Sequence, residues 1–173
     1  MRIIAGKYRG RKLAEFFNDT TRPTTDRVKE NVFNVLSNII NFDGASVLDL
    51  FAGTGQYGIE CLSRGASFVA FNDVDAAAVS VIKKNLRDVH GNYMIINKEY
   101  PDALTYKKYD LIFLDPPYAT ELGIDAIKII VEKKLLTANG VIVFETDKAD
   151  LTFGGFSVTT KKYGTAYIYF LVS

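Results

Sequence analysis

Residues 46–58 read "SVLDLFAGTGQYG": a short apolar strand, then Gly53, Gly55 and Gly58 in the spacing G-x-G-x-x-G. The pattern "YGIECLSRG" continues as a helix stopped by Gly65, and "SFVAFND" follows as a second strand closing on Asp73. Strand, glycine turn, helix and a second strand ending in an acid make a βαβ unit, which places a ligand at the turn and its ribose at the acid. The rest of the chain extends the same rhythm. "DAAAVSVIKKNLRDVHG" has apolar residues at helical spacing, with Asp75 as N-cap and Gly91 past its end. "YMIIN" and "YDLIFLD" are further strands, "LGIDAIKIIVEKKLL" is a helix and "GVIVFET" a fifth strand. "FSVTTKKYGTAYIYFLV" closes the chain as a hairpin turning at Gly164. The expected fold is α/β: a doubly wound, mostly parallel, Rossmann-like sheet with an antiparallel C-terminal hairpin.

Three glycines alone do not name the ligand, since a nicotinamide dinucleotide and a tight structural turn both fit them. Asp49 separates the readings. A glycine turn that receives a pyrophosphate is an anion site, and a carboxylate four residues upstream of Gly53 opposes it. A cationic amino acid with an adenosine tail, such as S-adenosylmethionine, suits the same acid. Asp73 would then accept from both ribose hydroxyls. The competing role for Asp73, capping the next helix, belongs better to Asp75.

Residues 115–118, "DPPY", end the fourth strand. Proline fixes φ, lacks an N–H and restrains its predecessor, so this tip is stiff and rich in acceptors. Asp115 and the Pro116 carbonyl suit the N–H groups of an exocyclic amine, and Pro117 holds Tyr118 where its ring can stack on a base. A turn after a strand explains Asp-Pro, but it explains the following Pro-Tyr less well. In methyl transfer the protein mainly has to place the amine against the methyl.

The first forty residues carry eight Lys/Arg against four Asp/Glu, a net charge of +4; the remainder is −3, for +1 overall. "RIIAGKYRGRKL" reads as a small basic ribbon around Gly6 and Gly10, and "TTRPTTDRVKENVFNVLSNII" as a loop that becomes an amphipathic helix carrying Val28, Val32, Phe33, Leu36, Ile39 and Ile40. A soft boundary near Asp43 and Gly44 divides an extension, residues 1–43, from a main domain, residues 44–173. A basic arm on a mildly acidic body points to a polyanion, and a solvated arm is the plainer alternative.

The 173 residues, 48% hydrophobic and 24% charged, describe one ordinary globular domain with a short appendage. No apolar run approaches the roughly 20 residues of a membrane span, and the N-terminus lacks the pattern of a signal peptide. One cysteine, Cys61, and one histidine, His90, leave no disulfide and no zinc cluster, so a reducing cytoplasm is expected. Cys61 reads as a small core residue and His90 as a surface residue near a helix end.

In order, "DLFAGTG", "FND" and "DPPY" resemble the class I S-adenosylmethionine-dependent methyltransferases that act on amino groups. More narrowly, "RIIAGKYRGRKL", "RPTTDRVKENVFNVL", "GIECLSRGA" and "YGTAYIYF" resemble the bacterial guanine-N2 methyltransferases of small-subunit (16S) ribosomal RNA, the RsmD family, over nearly the whole chain. The resemblance implies cofactor contacts at Asp49, Phe51, Gly53, Gly55, Asp73 and Val74, and base contacts and catalysis at Asp115, Pro116, Pro117 and Tyr118. It places an adenine contact at Glu99, with Asp102 as the fallback, where the family carries Asn or Asp. The family often has Phe in place of Tyr118, and either ring can stack. Arg9, Arg11 and Lys12 would meet RNA phosphates, while Arg22 and Arg27 would line the entrance to the pocket; Arg27 pairing with Asp26 or Glu30 is an equal alternative. The partner implied is ribosomal RNA or the assembling small subunit, met by a monomer. Competing readings are an N6-adenine methyltransferase of DNA or RNA, a nicotinamide-dependent oxidoreductase and a non-catalytic RNA-binding module.

Overall fold

The computed structural model describes residues 1–15, 25–105 and 107–173. Its hub is strand β1 (Ser46–Asp49), which lies parallel to β2 (Phe68–Asn72) on one side and β4 (Tyr109–Leu114) on the other. Outside them, β3 (Tyr93–Ile96) pairs parallel with β2 and β5 (Leu136–Thr146) with β4. The sheet ends with β7 (Ala166–Val172), antiparallel to β5, and β6 (Ser157–Tyr163), antiparallel to β7. Among the described residues the order is β3-β2-β1-β4-β5-β7-β6. From β1 the chain winds one way and from β4 it winds the other, so the crevice of the sheet opens between the C-terminal ends of these two strands. The expected doubly wound sheet and the closing hairpin are both present.

Alternation along the strands builds two cores. Val47, Val69, Phe113, Val143, Ile168 and Phe170 face helices α1 (Asp26–Leu36), α2 (Gln56–Ser63) and α3 (Ala76–Asn85). Leu48, Ala70, Ile112, Ile142, Phe144 and Tyr169 face the short α4 (Tyr100–Ala103) and α5 (Leu122–Glu132). Helix α4 has no counterpart in the sequence reading, because four residues are too few to show a period. Helix α1 is also shorter than its apolar pattern: it ends at Leu36, and Ile39 and Ile40 pack in the turn that follows. Likewise α3 stops at Asn85, well before Gly91.

The basic ribbon exists only in outline, as one bridge between Arg2 and Lys12 with Ile3 N–H bonding Arg11 O at 2.9 Å. What holds it is α2. Buried Glu60 accepts from the backbone N–H groups of Ile4 at 2.8 Å and Ala5 at 2.9 Å, and pairs with Arg64 at 2.9 Å and buried Lys29 at 3.8 Å. A Cβ on Gly6, at φ 79°, would come within 1.8 Å of Ser63 O, so only glycine lets the arm lie this close to the helix. Ile3 and Leu13 then enter the same core as Val32, Phe33 and Leu36 of α1.

Candidate active site

The turn after β1 is built by backbone conformations that glycine favours: φ is 53° at Gly53 and 77° at Gly55, and α2 starts at the next residue. Gly58 has a different job. A Cβ there would lie 2.2 Å from the Phe71 ring, so this glycine sets how closely α2 packs on β2. That close approach brings the Gly58 N–H to Asp49, whose Oδ2 accepts it at 3.0 Å. One hydrogen bond does not offset burial: the Asp49 carboxyl is pushed up to about 7, first by burial and further by the charge of Asp73.

Asp73 directly follows β2, with both oxygens already receiving backbone donors, Gly53 N–H at 2.8 Å and Asp75 N–H at 2.9 Å. Burial nevertheless raises its pKa. A carboxylate accepts about four hydrogen bonds, so capacity remains for a diol. Asp75 caps α3 through Ala77 N–H at 2.8 Å, which leaves Asp73 to the crevice as the sequence argument required. Val74, beside it, is exposed. Phe51 is half-buried against Tyr100, with ring centroids 5.8 Å apart.

The segment after β3 shows a residue that sequence reasoning passed over. Asn97 donates to Asp73 O at 2.8 Å and Val74 O at 2.9 Å, bracing the acid from behind. Asn72 does similar work, donating to Leu50 O at 3.1 Å and Lys98 O at 3.2 Å. Glu99 is exposed at the N-cap position of α4, and exposed Asp102 lies in that helix's first turn. An asparagine directly after β3, the strand beside the one that Asp73 follows, was the available signal for Asn97.

Across the crevice, Leu114 of β4 is in register with Phe144 of β5, and Asp115 and Glu145 are the residues that follow this pair. Pro116 is buried and Pro117 exposed; Thr120 Oγ donates to Pro117 O at 2.7 Å as the chain turns through Ala119 at φ 61°. Tyr118 Oη donates to Glu145 Oε1 at 2.7 Å. The Asp115 carboxyl is held well above the usual range by burial first, then by Glu145 and Asp49. Glu145 carried no role in the sequence reading, although it is the last residue but one of its strand.

Three acids therefore crowd one crevice, and no cation among the described residues forms an ion pair with Asp49, Asp73 or Asp115. Among the described residues the crevice thus has acids and a glycine turn without a paired cation, a charge balance that suits a cationic ligand better than a pyrophosphate. The described residues hold no cluster of three metal-ligating side chains and no helix long and apolar enough to cross a membrane.

The basic residues are arranged unequally. Arg9, Lys12 and Arg27 are exposed, whereas half-buried Arg11 pairs with Asp88 at 3.3 Å and donates to Asn85 O at 3.5 Å. Asp26 pairs with Arg2 at 3.6 Å. Arg22 lies outside the described residues.

The chain is similar to proteins of known name. It is 39% identical over 155 residues to the ribosomal RNA small subunit methyltransferase D of Haemophilus influenzae, covering 86% of this chain and 79% of that protein. Its identity to the protein of the same name from Escherichia coli K12 is 35% over 150 residues, covering 85% and 75%. Among solved structures, an Escherichia coli protein named as methyltransferase yhhF superposes with a TM-score of 0.87 at 31% identity, over 99% of this chain and 97% of that one. A conserved hypothetical protein of Streptococcus pyogenes superposes at 0.75 and 32% identity, over 84% and 95%. The family model described as conserved hypothetical protein 95 matches residues 1–172, and the chain belongs to that family.

Proposed function

We propose that this chain is an S-adenosylmethionine-dependent methyltransferase that methylates the exocyclic N2 amine of a guanine in small-subunit ribosomal RNA. The observation that carries the reading is the pair of acids, buried Asp49 and half-buried Asp115, at the ends of two adjacent strands where the winding of the sheet reverses, neither paired with a cation among the described residues. The names of the relatives support the substrate. When bound, S-adenosylmethionine supplies a methyl group on a sulfonium, which an amine nitrogen takes with loss of one proton.

Each residue has a part in that chemistry. Asp49 holds positive charge at the glycine turn, and Asp73, braced by Asn97, accepts from the ribose hydroxyls. Phe51 and Val74 offer apolar surface to the adenine, and Glu99 or Asp102 an acceptor for its amine. On the other wall, Asp115 and Pro116 O accept the two N–H groups of the guanine amine, bonds that strengthen as the nitrogen becomes cationic. The Tyr118 ring stacks on the base, which must leave its helix or loop to reach it. A cation beside Asp115 favours its ionised form, so the acceptor is armed when the site fills.

Residues 1–43 form the RNA-binding extension of a catalytic domain spanning 44–173. Arg9, Lys12 and Arg27 touch phosphates, contacts that give affinity rather than sequence choice. The enzyme acts in the cytoplasm, as a monomer, on ribosomal RNA or the assembling small subunit.

Labelled-methyl transfer to unmodified small-subunit ribosomal RNA, followed by nucleoside analysis, tests the reading. Label in N2-methylguanosine is expected, and Asp115→Ala should abolish it while leaving cofactor affinity nearly intact. Label in N6-methyladenosine instead would overturn the assignment of the base.

A further inference from the structure

The guanine-N2 reading leaves one group in the crevice without a part. Glu145 is 8% exposed, is the last residue but one of β5, and receives the Tyr118 hydroxyl at 2.7 Å. Its position is fixed on three sides. Register with β4 sets it one rung beyond the Leu114–Phe144 pair, and register with β7 sets it opposite Ile168. The Tyr118 hydroxyl holds one oxygen.

The Watson–Crick edge of guanine presents adjacent donors, N1–H and the N2 amine. Adenine and 2-aminopurine present a bare N1 acceptor next to their amines. A grip that holds only the amine, Asp115 with Pro116 O, does not distinguish these edges. A second acceptor beside Asp115 does, because it bonds N1–H of guanine and faces the N1 lone pair of the others. Buried acceptors discriminate well because a mismatched partner leaves them unsatisfied.

We infer that Glu145 is a specificity-determining residue that accepts the guanine N1–H while Asp115 holds the amine. The inference rests on the guanine-N2 reading. Tyr118 touches both devices: its hydroxyl meets one oxygen of Glu145, whose place is set by its strand, and its ring covers the base that Glu145 reads. The acid cluster thereby has two functions, positive-charge binding at Asp49 and base-edge reading at Glu145 with Asp115.

The test uses ribosomal RNA in which the nucleotide methylated by the wild-type enzyme is first mapped. That RNA is then rebuilt by ligation with either guanine or 2-aminopurine at the mapped position. 2-Aminopurine keeps the reactive amine but lacks N1–H. Wild-type kcat/KM should favour guanine by about tenfold to a hundredfold, the discrimination one well-made base-edge contact gives. Glu145→Gln, whose amide donates to a bare N1, should bring the ratio to within about threefold of unity. Tyr118→Phe, which keeps the ring and Glu145, should retain most of the wild-type ratio. Equal loss on both substrates in Glu145→Gln, with the ratio unchanged, would overturn the inference by reducing Glu145 to a prop for Tyr118. So would a Tyr118→Phe variant that loses the ratio as fully as Glu145→Gln. Unchanged S-adenosylhomocysteine affinity in both variants verifies the fold. If the wild-type enzyme makes no N2-methylguanosine at all, the proposed function fails before this comparison begins.

Discussion

Asp49 shows how burial of a single carboxyl ties stability to pH. An unfolded aspartate ionises near 3.8, and in the folded chain Asp49 does so only near 7. The folded state therefore holds the extra proton between these values, so this residue's contribution to stability falls as pH rises from about 4 to 7, and the penalty is complete above that. A carboxyl displaced that far carries a penalty of up to about 4 kcal/mol. Asp49→Asn keeps an oxygen for the Gly58 N–H and removes the charge. The variant should match wild type in denaturant unfolding at pH 4 and exceed it by about 1–3 kcal/mol at pH 8. It should also bind S-adenosylmethionine at least tenfold more weakly. A variant no more stable at pH 8 than wild type would show that the acid is not strained by burial.

At the scale of elements, the distance between α2 and the sheet controls the site. Gly58 permits that distance by presenting no Cβ to Phe71, and the same approach brings its N–H to Asp49. Gly58→Ala should destabilise by about 1–3 kcal/mol, the usual cost of overpacking. It should also weaken S-adenosylmethionine binding, because the helix start must move away from Asp49. Thermal melting and calorimetric titration of the same preparation check both effects; lost stability with undiminished affinity would detach the packing from the site. The opposite end of α2 holds the N-terminal arm through Glu60 and Ser63. One eight-residue helix thus carries the glycine turn at its start and the basic extension along its body.

Across the whole molecule, the charge asymmetry of the sequence becomes a basic extension packed on a body with acids in its crevice. Replacing Arg9, Arg11 and Lys12 together should weaken RNA binding and reduce the magnitude of its salt slope by about two rather than by the full three contacts, because Arg11 already pairs with Asp88. Unchanged affinity in filter binding across a salt series would clear the arm of this duty.

The same scale shows what a sequence carries. The mostly parallel sheet, the closing hairpin and the positions of Asp49, Asp73 and Asp115 at strand ends followed from alternation, glycine spacing and turn signals, all local patterns, whereas the order of the strands did not. The roles of Glu60, Lys29, Asn85 and Glu145 did not, since each depends on a partner far along the chain: Lys29 on Glu60, Asn85 on Ala14 and Thr54, Glu145 on Tyr118. The third glycine of the turn was legible as a glycine, but its partner Phe71 was not. Asn97 had only its place directly after a strand as a signal, because its bonds go to backbone and leave no complementary residue to find.

Calorimetric titration near pH 7, in buffers of differing ionisation enthalpy, addresses the cationic ligand at its source. S-Adenosylmethionine should bind and release protons, as positive charge lowers the pKa of Asp49 and Asp115. The neutral thioether S-adenosylhomocysteine should bind with smaller release, and NADH should leave the protein unaffected. Binding of NADH without binding of S-adenosylmethionine would contradict the account.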